Sequence, residues 1–313
     1  MRDQKRQRDD AALLHRTAVL LRTHNPTTAM LRRIKEYADS AAAGYCAAFC
    51  VSVDVSQEDG RRAAALLIDQ LGRACVHTYT ETMLCQQYPV LEGECRPRAD
   101  AGSKGHWRQW GNKASGEGQE PAPASLAWGF HLEAVNLWVQ QTRKDLFEYV
   151  WVLEDDVGFS GDLCSDFCTS YVMDASDLLT GECFAVFQPL RTRSQALVSR
   201  WCWRATASDA FLSFVAPGER LKCAEHVQRF SRAFLDRLHE LSIGASGQPP
   251  VAAWSEMGAP TLCRHLGLKT GHLLSEHIGA PYSFNGRVAQ EEWADLLLRR
   301  DHAKRRLYHA LKW

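Results

Sequence analysis

The sequence predicts an α/β fold with a mainly parallel sheet flanked by helices, on three observations. Short apolar, β-leaning runs recur at Thr17 to Arg22, Tyr45 to Val53 and Tyr149 to Leu153. Between them lie stretches with apolar residues at spacings of three and four, which is helical periodicity. Strands that alternate with helices of roughly 10–15 residues build βαβ units, whose strands run parallel. Ligands of such sheets sit at the carboxyl ends of the strands.

In chain order, the charged residues 1–11 read as a tail and residues 12–313 as one domain, since 313 residues with 45% hydrophobic content suffice for a full core. The TAVLLR run stops at Thr23-His24-Asn25-Pro26, because the residue before a proline avoids the helical region. Thr27 and Thr28 are candidate caps for a helix with Met30, Leu31, Ile34, Tyr37 and Ala38 in register. The second strand ends at Asp54, which places a carboxylate at its carboxyl edge. A helix follows over Glu58 to Gly72, with Ala64, Leu67, Ile68 and Leu71 on one face, and then a third strand over Val76 to Thr80. Residues 97–123, rich in Gly, Ala, Ser, Lys and Gln, predict a long mobile loop. Ser125 to Thr142 returns to helical spacing and leads into the Tyr149 strand.

Beyond that strand, Asp162 to Tyr171 reads as helical and Cys183 to Gln188 and Trp201 to Ala207 as strands. Glu219 to Leu241 reads as one long helix with Val227, Phe230, Phe234, Leu235 and Leu238 inward. Pro260 to Leu266 predicts a short helix, and Glu291 to Trp313 a terminal amphipathic helix with a solvated basic face.

The 37 basic and 37 acidic side chains cancel, which leaves no excess charge to attract nucleic acid or an anionic membrane surface. No stretch approaches the ~18 apolar residues that would span a bilayer. The eleven cysteines are scattered, without the C-x2-C spacing of a zinc site, and do not settle the redox compartment. Cys46 and Cys50, like Cys164 and Cys168, stand four apart and would share a helix face; burial as small hydrophobes is the simplest reading.

The strongest signal is the run Tyr149 to Leu153, followed without a spacer by Glu154-Asp155-Asp156. Three adjacent acids repel one another, and such a group persists at the edge of a core when something cationic offsets it. A divalent ion is the simplest candidate. Mg²⁺ and Mn²⁺ take one or two carboxylates and complete their shell with water and substrate phosphate. The same string also reads as a solvated acidic turn, or as carboxylates at the N-terminus of the Asp162 to Tyr171 helix.

In their order, TAVLLRTHNP, FCVSVDVS and YVWVLEDDVGFSGD resemble the nucleotide-diphospho-sugar transferases of the GT-A fold, with EDD standing for the acidic DXD-type motif that ends a central strand. The resemblance implies a Rossmann-like, mainly parallel sheet and a glycosyltransferase that uses Mn²⁺ or Mg²⁺. By it, Asp156 would bind the metal directly, Asp155 and Glu154 would contact ribose or the metal and its water, and Arg22, Thr23 and Asp54 would hold the nucleoside. His277 would be the late histidine such enzymes recruit as a metal ligand. The donor would be a UDP- or GDP-sugar, and the acceptor a hydroxyl of a glycan, protein or small molecule. Related enzymes work in the Golgi lumen behind an N-terminal anchor, and this sequence carries no such anchor.

For the base that takes the acceptor proton, Glu256, close to the aromatic Trp254, is the first candidate and Asp209 the second. The plainer readings stay open: Arg22 in a surface ion pair, Asp54 capping its turn, Glu256 at a helix N-terminus, and His277 as a hydrogen-bonded structural residue. Two other functions use the same residues. Grouped carboxylates serve a metal-dependent nucleotidyltransferase or phosphohydrolase, although no G-x-x-x-x-G-K-[ST] loop and no second acidic cluster occur. A catalytically degenerate binding domain would use the aromatics, ten tryptophans among them.

Overall fold

The computed structural model describes residues 16–23, 26–91, 126–186, 207–282, 287–298, 305–311 and 313. The predicted tail at 1–11, the loop at 97–123 and all of the predicted strand at 201–207 except Ala207 lie outside the described residues.

The apolar runs become the centre of a seven-stranded sheet. β1 (Thr17–Thr23) pairs in parallel with β2 (Ala48–Asp54) on one side and with β4 (Tyr149–Glu154) on the other, and β3 (Val76–Tyr79) extends the β2 edge. Two short strands, β5 (Gly158–Phe159) and β6 (Leu178–Thr180), follow, the second in this sheet. Together with β9 (Val227–Ser231) and β10 (Thr270–His272) they give the order β10-β6-β9-β4-β1-β2-β3. Only β9 runs antiparallel to its neighbours. The mainly parallel, helix-flanked sheet read from the sequence is therefore present.

Helices cover both faces. α1 (Thr28–Ser40) starts where Thr27 Oγ1 accepts from Met30 N at 3.2 Å, the predicted cap, and α2 (Glu58–Leu71) follows β2. α3 (Glu81–Gln87), α4 (Leu126–Gly129) and α5 (His131–Gln141) precede β4. The side chains of β4 alternate as a strand's must. Trp151 and Leu153 join the core under α1 and α2, while Val150 and Val152 join the opposite core. That second core is closed by α5, α7 (Arg232–Ser242) and α8 (Ser255–His265), with α6 (Asp209–Phe214) at its side.

Three segments differ from their sequence reading. The expected helix over Glu219 to Leu241 is instead β8 (Leu221–Lys222), which pairs with β7 (Phe184–Ala185), then β9, then α7. Every residue of β9 is buried, Gln228 and Arg229 included, so polar residues on a doubly covered strand imitated the polar face of a helix. The expected C-terminal helix is a shorter α9 (Gln290–Leu298), and β12 (Leu307–His309) lies between β11 (Ile278–Tyr282) and β5 in a second, three-stranded sheet. Cys46 and Cys50 share no helix, because Cys46 leads into β2 and Cys50 lies within it. Among the described residues no helix is long and apolar enough to cross a membrane.

Candidate active site

The site follows from strand register. Arg22 on β1 stands opposite Glu154 on β4, and the antiparallel pairing of β4 with β9 brings His226 to the other flank of Glu154, whose N–H donates to His226 O at 3.0 Å. Both neighbours use the carboxylate: Arg22 Nη2 reaches Oε1 at 3.0 Å and His226 Nδ1 reaches Oε2 at 2.7 Å. By the same alternation Thr23 and Asp155 point to the α1 side, where the Thr23 hydroxyl donates to the Asp155 carboxylate and Arg33 Nη2 on α1 donates to the Asp155 carbonyl at 2.6 Å.

The C-terminal strand adds the group that the sequence did not announce. Leu311 N donates to Asp156 O at 2.8 Å, and β12 pairs with β5 just after the acidic turn. His309 is thereby set with Nε2 3.4 Å from Asp156 Oδ1 and 3.7 Å from Glu154 Oε2. Among the described residues, Glu154, His226 and His309 form the one group of potential metal ligands, with their ligand atoms within 4.8 Å of one another.

Burial would raise the Glu154 carboxyl, but the hydrogen bond and charge of His226 and the charges of Arg22 and His309 outweigh it and hold the group well below its ordinary value. The cationic offset that three adjacent acids require thus comes in part from the protein. Behind Glu154 lies a second buried polar group. His131 on α5 meets Glu225 through Nδ1 at 2.7 Å and Gln228 Oε1 through Nε2 at 3.1 Å. Burial pushes Glu225 up to about 8, and burial with the charges of Glu225 and Glu154 pushes Glu256 well above its ordinary value.

The residues singled out by sequence divide accordingly. Arg22, Thr23, Glu154, Asp155 and Asp156 converge at the carboxyl edge of the sheet. Asp54 ends β2 at the same edge, and its Oδ1 accepts from Ser56 N at 2.9 Å, so it does cap the turn. Glu256 is buried in the first turn of α8, and Asp209 is exposed in the first turn of α6. His277 accepts or donates through Nδ1 to the Tyr171 hydroxyl at 2.7 Å and packs against Phe159 and Phe167, outside the Glu154 group. No sequence signal marked His226 or His309: one precedes a strand read as helix, and the other lies in a tail read as helix.

No family model and no curated protein matches the sequence. Solved structures do resemble it. A mannosyltransferase from Pyrobaculum calidifontis, in complex with GDP-Man and Mn²⁺, aligns at 11% identity over 83% of this chain and 55% of its own, with a TM-score of 0.38. Mouse xyloside xylosyltransferase 1 in its apo form aligns at 12% identity over 94% of this chain and 97% of its own, with a TM-score of 0.42. A putative glucose-1-phosphate thymidylyltransferase from Bacillus anthracis aligns at 8% identity over 83% of this chain and 87% of its own, with a TM-score of 0.35. The chain thus spans little more than half of the mannosyltransferase. Similarity this low leaves the function to be argued from the chain's own residues.

The donor set fits a divalent ion. One carboxylate and two imidazoles, with a further carboxylate on Asp156, mix oxygen and nitrogen donors and so suit a first-row transition ion better than Mg²⁺, which prefers an all-oxygen shell.

Proposed function

We propose that the chain is a metal-dependent glycosyltransferase that moves a sugar from a UDP- or GDP-linked donor to a hydroxyl acceptor. One observation carries this reading: Glu154, His226 and His309 meet at the carboxyl end of a central strand, beside Asp156 and next to Arg22. That edge is where ligands of such sheets bind. Mn²⁺ held by Glu154, His226 and His309, with Asp156 alongside, would offset the charge that develops on the diphosphate leaving group.

The chain's own residues supply the rest. Arg22 keeps Glu154 ionised and aimed, Thr23 and Arg33 fix Asp155, and the Asp155 carboxylate is the candidate partner of the ribose hydroxyls. Asp54, at the same edge, is the candidate partner of the nucleoside. Glu256 is the proposed base toward the acceptor; its raised carboxyl makes it a strong base that must first lose its proton.

A second reading is favoured by the ion pairs of Glu154. Arg22, His226 and His309 already surround this carboxylate, so a transferase that holds the diphosphate with Arg22 and the two imidazoles and no metal fits the same geometry.

Thermal melting with a panel of nucleoside diphosphates separates these readings. At a ligand concentration ~100 times the dissociation constant, binding adds about 2.7 kcal/mol of stability. A shift that needs Mn²⁺ and disappears in Asp156→Ala supports the metal-dependent transferase. A shift unchanged by chelator supports the metal-free one. No shift with any nucleotide removes both.

A further inference from the structure

Across the fold from the acidic edge, three cysteines that the proposed function does not use come together. Cys46, half-buried between α1 and β2, has its Sγ 3.3 Å from the Sγ of buried Cys164. Cys168, buried one helical turn beyond Cys164, shares hydrogen bonds with both. The spacing of four does bring Cys164 and Cys168 together, and the fold adds Cys46 from across the chain in place of Cys50.

The two segments are held in place independently of the thiols. The Ser40 hydroxyl donates to Asp162 Oδ1 at 2.7 Å and accepts from Cys164 N at 3.1 Å, so the end of α1 is already tied to the backbone of Cys164. Asp162 Oδ1 also accepts from Ser165 N at 2.7 Å and starts the helical segment that carries Cys164 and Cys168. A disulfide has an S–S separation of about 2.05 Å, so the sulfurs need only a small approach from where the backbone holds them.

We propose that Cys46 and Cys164 form a redox-active pair that closes to a disulfide, joining the start of β2 to the segment that follows the acidic turn. The exposed edge of Cys46 gives the oxidant access. Hydrogen bonds from Cys168 and Cys46 to Cys164 hold its thiol below the ordinary value and favour its thiolate. Cys46 donates its hydrogen bond to the Cys164 sulfur, which takes the proton as Cys46 attacks a small-molecule disulfide and expels one thiolate, forming a mixed disulfide. Cys164 then attacks the Cys46 sulfur and expels the second thiolate. The S–S bond of the small molecule breaks and the S–S bond of the protein forms, and the two electrons leave on the two expelled thiols, which take up the proton of Cys46 and one proton from solvent. Cys168 stands ready as the alternative partner of Cys164.

The bond would close a chain loop of more than a hundred residues, which restricts the unfolded chain somewhat more than a local bridge does. The oxidised protein should therefore melt at a higher temperature, and a reductant should reverse the shift.

The test uses the full chain in buffers of oxidised and reduced glutathione. Trypsin cuts after Lys35, Arg61, Lys144 and Arg191, so Cys46 and Cys164 fall on the peptides 36–61 and 145–191. The expected result is a link between these peptides under oxidising buffer, two fewer alkylated thiols, and a raised melting temperature, all reversed by dithiothreitol. The link should vanish in Cys46→Ser and in Cys164→Ser and persist in Cys50→Ser, Cys168→Ser and Cys183→Ser. A link that survives Cys46→Ser overturns the proposal, as does the absence of any link in the wild type at the most oxidising ratio. The link between peptides 36–61 and 145–191 in the wild type reads the pair even if a buried variant fails to fold.

Discussion

The imidazoles of His226 and His309 stack with ring centroids 3.5 Å apart and planes inclined by 17°, and both present a ring nitrogen to Oε2 of Glu154. One ring comes from the start of β9 and the other from β12, so a central strand and the C-terminal strand of a different sheet must both be in place to form the stack. This geometry makes the C-terminal segment part of the site rather than an appendage to it.

His309→Ala tests that role. Its strand stays anchored through Leu311 N on Asp156 O and through pairing with β5, so the apo protein should melt within a few degrees of the wild type. The stabilisation by Mn²⁺ with a nucleoside diphosphate, about 2.7 kcal/mol at ~100 times the dissociation constant, should fall to near zero. Retention of the full Mn²⁺-dependent shift would remove His309 from the metal site.

Glu154→Gln addresses the charge balance. The substitution leaves half-buried Arg22 beside a neutral group, and because solvent reaches the pair the cost should fall below the ~3–5 kcal/mol of a fully buried one. The folded-state carboxyl lies below its ordinary value, so its contribution is fully present above the unfolded value of roughly 4.5 and is lost as pH falls toward the folded one. Denaturant unfolding on acidification should therefore show a steep loss of stability in the wild type and a shallower one in Glu154→Gln. Parallel acid limbs in the two proteins would contradict this account.

The parts of the fold that were legible in the sequence are those where local pattern and burial agree. TAVLLR, FCVSV and YVWVL are apolar enough to be central strands in any context, and the acids that follow YVWVL had to emerge at the sheet edge. β9 was illegible because Gln228 and Arg229 are buried by tertiary partners, His131 for the first and the carbonyls of Tyr171 and Asp174 for the second. A sequence pattern has no access to such partners. His309 was illegible for a related reason: a three-residue strand has too short a period to read, and only pairing with β5 reveals it. The acids were thus read as requiring an external cation, while Arg22 and the two histidines that surround Glu154 could be found only through register.

Glu133 offers a pH signature away from the site. Burial in α5 pushes its carboxyl up to about 8, against backbone and Ser242 hydrogen bonds that lower it. An acid raised in the folded state stabilises below its unfolded value, near 4.5, and that contribution is lost as pH rises through the folded value, with a slope of about 1.4 kcal/mol per pH unit. Between those two values the wild type should lose stability as pH rises, and Glu133→Gln should lose much less. Melting temperatures of both proteins across that window decide it; equal slopes would mean that Glu133 is solvated in the folded state.

Glu256→Gln tests the proposed base. A positioned general base contributes about 10²–10⁴-fold to a rate, so once a donor and acceptor are identified the variant should lose turnover by that order while retaining the nucleotide-dependent melting shift, because Glu256 lies outside the group of Glu154, His226 and His309 proposed to hold the donor. Burial and the charges of Glu225 and Glu154 hold the wild-type carboxyl above its ordinary value, so the base form is scarce at low pH and its fraction grows as pH rises. Wild-type turnover should therefore climb with pH, and the climbing limb should be missing from the residual activity of Glu256→Gln. A variant that keeps both the rate and the limb would remove Glu256 from the role of base.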